Sequence, residues 1–309
     1  MHLLVLAMWS LVLMVVALFI GVALGIPDAP SLTPNSALRP PNSELSLLLL
    51  WNTLVQLLTF ALPVFLVSRR YYRDTPLFAP HSSSRTSHSS FLIPHSSFHS
   101  FLLPLLVGIA VLLLLVPITD WLTTWNDSWH FSGAWEKLER GLRAAGEQSQ
   151  QIVEGFMKEC HPLLNLFCLA LIPALCEELF FRAGIQNLLY KSFARSKLSI
   201  LNSQFSIHAA VWITAALFSL AHGEVFAFLP RLLLGALLGY LYVYGRSLLV
   251  NVAAHFVNNA IIVVAYAINS PSFDPSQPIA ASVPVTVACT AAALALFWFV
   301  FLRRPSRKQ

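Results

Sequence analysis

An all-α bundle of about eight transmembrane helices is the fold class that the sequence predicts, and three observations carry that reading. Of the 309 residues, 57% are hydrophobic and 11% charged, with a mean hydropathy of +0.69. A soluble chain carries about a quarter of its residues as Asp, Glu, Lys or Arg. Apolar runs long enough to cross a hydrocarbon core recur along the whole chain. The basic residues sit in short clusters at the ends of those runs, where they set orientation, so the net charge of +5 speaks for topology and against nucleic acid as a partner. A soluble enzyme is excluded. A disulfide scaffold is excluded too, because Cys160, Cys168, Cys176 and Cys289 are sparse and show no CxxC spacing.

In chain order the spans fall at approximately Leu3 to Ile26, Leu45 to Val67, Phe101 to Thr119, Leu163 to Tyr190, Ile207 to His222, Val225 to Tyr244, Leu248 to Ile268 and Ala281 to Leu302. The fourth is long and carries charges; the fifth is short. The first has neither a basic leading region nor a small-residue cleavage site, and reads as a retained helix. With both termini cytoplasmic, twelve Lys and Arg residues fall on the inner side, Arg69, Arg70 and Arg303 among them, and five on the outer. That asymmetry favours cytoplasmic termini, and a multi-pass plasma-membrane location is the expectation.

Four regions follow. Residues 1–120 hold the first spans, interrupted at 80–100 by a tract with His81, His88 and His95 among many serines. Such a tract can bind metal, but its low complexity and prolines read as a linker. Residues 121–160 are rich in Trp and charge, and Trp135, Leu138 and Leu142 recur at helical spacing, which predicts a helix lying in the membrane interface. Residues 161–270 hold a helical core with the polar chemistry, and 271–309 the last span and a basic tail.

An ionisable residue within a span is costly and needs a partner or a task. The first, second, third and eighth spans have none. The fourth contains Glu177, Glu178 and Arg182; the fifth ends in Phe218 and His222, with Glu224 beyond; the seventh carries Asn251, His255, Asn258 and Asn259. Glu178 and Arg182 are four apart and can pair, which leaves Glu177 to face something else. Arg231 is expected to snorkel or to pair with Glu224. Asn251, His255 and Asn259 form one stripe on a helix face. A carboxylate in such an interior can act as general base toward water, while a second histidine with an amide holds the oxyanion. Alternatively, Glu177, His222 and His255 make a Glu-His-His set, matching a catalytic zinc site with an open fourth position. Each residue also has a plainer reading: a structural ion pair, an interfacial histidine, or Asn side chains joining helices.

At these residues the sequence resembles the CAAX protease and bacteriocin-processing family of intramembrane proteases, also called the Abi family. EExxxR stands as Glu177, Glu178 and Arg182; FxxxH as Phe218 and His222; HxxxN as His255 and Asn259. The resemblance covers roughly residues 160 to 270 and implies peptide-bond hydrolysis within the membrane. By that resemblance Glu177 with His222 activates water, His255 with Asn259 stabilises the oxyanion, and Glu178, Arg182 and Phe218 shape the site. It admits both a metal-dependent scheme, with a divalent ion such as zinc, and a metal-free glutamate scheme. The implied partners are membrane lipid and a membrane-associated peptide or protein, prenylated CaaX proteins included. A site-2-type zinc protease is excluded by the absence of HExxH, and GxSxG and GxGD are absent as well. The alternatives are a non-catalytic scaffold or bacteriocin self-immunity protein and, behind it, a proton-coupled transporter. One tension is left for the structure: counted from the cytoplasmic end, His222 lies deeper than His255, so the two meet only if the fifth span starts later or the helices tilt.

Overall fold

The structure is a computed structural model that describes residues 2–23, 42–71, 98–195, 203–269 and 281–302. Among them there is no strand. The 80–97 part of the His/Ser-rich tract and the basic residues from Arg303 onward lie outside the described residues, and residues 98–100 open a helix.

The eight expected spans have eight helical counterparts. Six helices, His2–Val22, Glu44–Tyr71, Pro162–Ala194, Val225–Gly245, Leu248–Ile268 and Val283–Phe301, are long and apolar enough to cross a membrane. The third span is not one straight helix as the sequence suggests. It is α4 (Phe98–Leu114) followed by α5 (Val116–Asp127), bent by 44° at the break. Pro117 in the first turn of α5 has no N–H to continue the ladder, and its ring clashes with the preceding turn. The fifth is α10 (Ser203–Ala221), apolar but short.

The fourth span is the most irregular. It runs through α7 (Pro162–Asn165), α8 (Ile172–Glu177) and α9 (Asn187–Arg195), with π-helical turns at Leu166–Leu171 and Glu178–Gln186 between them. Pro173 sits in the first turn of α8, where it cannot donate to the residue four before it, and a widened turn absorbs the mismatch. The Glu178–Gln186 stretch has no such proline. It is packed on nearly every side, with Glu178, Phe180, Phe181, Arg182, Ala183, Gly184 and Gln186 buried.

The remaining elements are α1 (His2–Ala23), α2 (Asn42–Gln56), α3 (Leu62–Tyr71), α6 (Glu136–Glu159), α11 (Phe228–Gly245), α12 (Leu248–Asn269) and α13 (Val283–Phe297). The first and last stand at the rim and present side chains such as Leu18, Phe19, Val287 and Leu294 outward, the arrangement of lipid-facing helices. The interior is built by the fourth span, α10, α11 and α12. Two glycines bring α11 against its neighbours. A Cβ on Gly235 would stand 3.1 Å from the backbone of Ala215, and one on Gly239 only 2.9 Å from Val211. Small residues at helix crossings let backbones approach within a bilayer.

Of residues 121–160, Trp121 and Trp125 belong to α5, and the charged part forms α6, with Trp135 at its start. Trp135 is 66% and Leu138 48% exposed, so the apolar side of its first turns points away from the bundle. The architecture is that of an integral, multi-pass, all-α membrane protein.

Candidate active site

Glu177 closes α8, and the wide turn that follows sends Glu178 in a different direction. Glu178 is fully buried. Its Oε2 accepts from Arg182 Nε at 3.1 Å and from Asn251 Nδ2 at 3.0 Å, and its Oε1 lies 3.0 Å from His255 Nδ1. Arg182 is buried as well, and its guanidinium stands 5.5 Å from the centre of the Phe218 ring, a cation–π contact that helps to hold the charge in the interior.

Glu177 faces the other way. Its Oε2 lies 3.9 Å from His222 Nε2 and 3.8 Å from His255 Nε2. That oxygen is buried and has no hydrogen-bond partner among the described residues. Two imidazole nitrogens therefore bracket one carboxylate oxygen at distances too long for direct hydrogen bonds and suited to a shared water or a reacting group.

Each imidazole is held by its other nitrogen. His222 Nδ1 is 2.8 Å from the carbonyl oxygen of Phe218. A carbonyl only accepts, so Nδ1 carries the proton and Nε2 presents its lone pair toward Glu177. His255 is oriented by Glu178 in the same manner. Phe218, buried at the end of α10, packs its ring against both histidines, with centroids 4.8 and 5.9 Å apart. Side-chain exposure is 31% for His222, 15% for Glu177 and 3% for His255, so approach to the carboxylate is from the His222 side.

The structure thus brings Glu177, His222 and His255 together and binds Glu178, Arg182 and Asn251 behind them. Asn259 lies one turn beyond His255 on α12, and its Oδ1 accepts from Asn258 at 3.3 Å rather than joining the Glu177 set. The offset in depth between His222 and His255 does not keep them apart. The fifth helix starts at Ser203, earlier than Ile207, so a late start is not what aligns them. His222 itself stands past the end of α10, in a turn closed by Gly223 at φ 72°, a conformation that suits glycine.

That turn is clamped from outside by residues that no sequence motif singles out. Asn126 donates to the Val225 carbonyl and accepts from the Leu229 N–H, at 3.2 and 2.8 Å. Arg143 lies over the Phe226 ring at 3.8 Å. It is fixed by Glu139 at 2.9 Å, by Asp127 at 2.7 Å and by the Asp127 and Trp129 carbonyls. Glu139 accepts from the Phe131 N–H, from Arg143 and from His130, which together bring its carboxyl down to about 2. These partners are roughly 80 to 100 residues from the turn in sequence, and no local pattern announces them.

The donor set also tests a metal. Ligand atoms of a tetrahedral zinc with bonds of 2.0–2.1 Å stand about 3.3 Å apart, whereas Glu177 Oε2 is 3.8 and 3.9 Å from the two nitrogens. Among the described residues no group of three His, Cys, Asp or Glu is arranged to hold a metal ion. As they stand, the residues do not fit a bound metal.

A carboxylate set between two oriented histidines inside a membrane bundle is an arrangement with the groups that general-base hydrolysis requires. Residues 159–261 match the family model described as "Type II CAAX prenyl endopeptidase Rce1-like". The match contains all three motifs, bears out the family resemblance over that third of the chain, and supports a CAAX-type intramembrane protease in general. No curated protein and no solved structure was found to match the chain.

Proposed function

We propose that the protein is an intramembrane endopeptidase. It hydrolyses a peptide bond of a membrane-associated protein or peptide, prenylated CaaX-type chains foremost, with water activated by Glu177 and His222. The observation that supports this best is the position of Glu177 Oε2, unpartnered and bracketed by His222 Nε2 and His255 Nε2.

In this scheme a water held between Glu177 and His222 gives its proton to the carboxylate as it attacks the scissile carbonyl. Glu177 then passes that proton to the leaving amine. The tetrahedral intermediate carries a negative oxygen, and a donor aimed at that oxygen stabilises the transition state more than the ground state. His255, held at Nδ1 by Glu178, can donate there from Nε2 when both ring nitrogens carry protons. Asn259, one turn on, supplies a second donor from Nδ2 once substrate is bound; its Oδ1, not its Nδ2, is engaged with Asn258. No step uses a metal.

The test compares terminal peptides of host membranes from cells expressing wild type or Glu177→Ala at matched, well-inserted levels. New termini with wild type alone are the expected result, and their sequences name the substrate and show whether cleavage falls at a prenylated C-terminus. Identical profiles while the phenotype is present would overturn the peptidase reading in favour of a scaffold or immunity protein. A zinc chelator is expected to leave the wild-type profile unchanged; loss of cleavage that added zinc restores would make the enzyme a metallopeptidase.

A further inference from the structure

Of the three residues around the Glu177 carboxylate, His222 alone stands outside a helix. α10 ends at Ala221, and residues 223–227 lead from His222 to the start of α11 at Phe228. The near end of this turn is held by α10, through the Phe218 carbonyl at His222 Nδ1 and the Ser219 carbonyl at the His222 N–H. The far end depends on where α11 begins. There α11 brings no cap of its own, because Ala227 occupies the N-cap position and makes no side-chain cap bond.

The missing cap comes from α5. Asn126 is fully buried, and its Oδ1 accepts from the N–H of Leu229, the second residue of α11, at 2.8 Å. That is the bond an N-cap side chain would make. Its Nδ2 donates to the Val225 carbonyl, inside the turn itself, at 3.2 Å. A side-chain amide carries its donor and its acceptor in one plane, so the two bonds fix both the place and the direction of the backbone from Val225 to Leu229. The Arg143 guanidinium over the Phe226 ring grips a side chain of the same stretch but not its backbone. Asn126 lies outside residues 159–261, which carry the family match, so the three motifs do not account for it.

We propose that Asn126 is a positioning residue for His222: by capping α11 from a distant helix it holds the turn so that His222 Nε2 faces Glu177. The proposal rests on the peptidase reading. Without the amide, the Val225 carbonyl and the Leu229 N–H lose their shared partner, the turn relaxes, and His222 samples several orientations. The cost falls on the chemical step and spares substrate affinity.

The experiment compares wild type, Asn126→Ala and Asn165→Ala, each as the full chain in proteoliposomes. Asn165 is the control: it is also buried, and its amide donates to the backbone carbonyls of Phe156 and Cys160, neither of them in the His222 turn. One readout is kcat and KM on an S-farnesyl-cysteine peptide with an apolar tail. The other is the ¹⁵N spectrum of histidine-labelled protein, in which the His222 signals are those lost in His222→Gln. Asn126→Ala is expected to lower kcat at least about tenfold, as a misplaced catalytic group does, with KM within about twofold of wild type. Its His222 signals should broaden or leave the positions of the Nδ1-protonated ring. Asn165→Ala should lower Tm yet keep both kcat and the His222 signals of wild type. A kcat loss in Asn126→Ala no larger than in Asn165→Ala would overturn the proposal, and so would His222 signals identical to wild type. Failure of wild type to cleave the peptide would overturn the prenyl-peptide reading instead, and the His222 spectrum would then decide alone whether Asn126 positions the ring. Should Asn126→Ala fail to fold, Asn126→Asp, which keeps the acceptor for Leu229 and loses the donor to Val225, takes its place in the same comparison.

Discussion

Removing the Glu178 carboxylate takes a partner from Arg182, Asn251 and His255 together, because all three converge on its two oxygens. Glu178→Ala leaves a buried guanidinium uncompensated, which costs about 3–5 kcal/mol where it has been measured for buried pairs. The expected result is a sharply lower Tm in detergent. Glu177, its neighbour, makes no hydrogen bond that holds the fold. Glu177→Gln should therefore keep the wild-type Tm to within about 0.5 kcal/mol of stability while cleavage disappears. The pairing of Glu178 with Arg182 follows from four-residue spacing and was legible in the sequence. The link from Glu178 to His255 was not: it joins residues 77 apart, and helix periodicity says which face a side chain takes but not which helix comes to meet it.

At the level of the elements, the contact of α10 with α11 positions Phe218, and through the Phe218 carbonyl it positions His222. A Cβ on Gly235 would stand 3.1 Å from the Ala215 backbone and 3.2 Å from the Phe218 ring. Gly235→Ala must push α10 and α11 apart by a few tenths of an ångström, and overpacking of this kind costs about 1–3 kcal/mol. The predicted signature is a modest fall in Tm with a larger fall in kcat, since the displaced groups include the His222 anchor; an unchanged kcat would show that the contact does not position the histidine. Hydropathy found the apolar helical segments, of which six, or seven with the bent pair, are long enough to cross a membrane among the described residues, while the fifth is a shorter apolar helix. It missed the break at Leu115 and the wide turn after Glu177, both of which depend on backbone hydrogen bonding that apolar run length does not record. Pro117 was a readable signal for the first. Nothing in the local sequence marked the second, which is stabilised by burial on nearly all sides.

Across the whole molecule, the site is assembled from the C-terminal half and braced by the segment that precedes it. Asn126 and Arg143 hold the Val225–Leu229 stretch beside His222, and Glu139 holds Arg143. The Glu139 carboxyl is brought down to about 2, chiefly by the Phe131 N–H and then by Arg143 and His130, against an ordinary value near 4.5. A carboxyl lowered by folding stabilises the folded state above its unfolded value and ceases to do so as the pH falls through its folded one. The difference in Tm between wild type and Glu139→Gln should thus be full at pH 7, shrink from pH 4.5 downward and vanish near pH 2. A pH-independent difference would show that this brace does not act through its charge. In the proposed scheme two adjacent glutamates divide the work of the molecule between them, Glu177 carrying the chemistry and Glu178 the architecture. On that scheme a single change at Glu177 removes the activity and leaves an intact, inserted bundle. A descendant that had turned from enzyme to scaffold would bear the mark at Glu177 and His222 first, with Glu178, Arg182 and Asn251 still in place, so these five positions together form an index of whether a related chain still works as a catalyst.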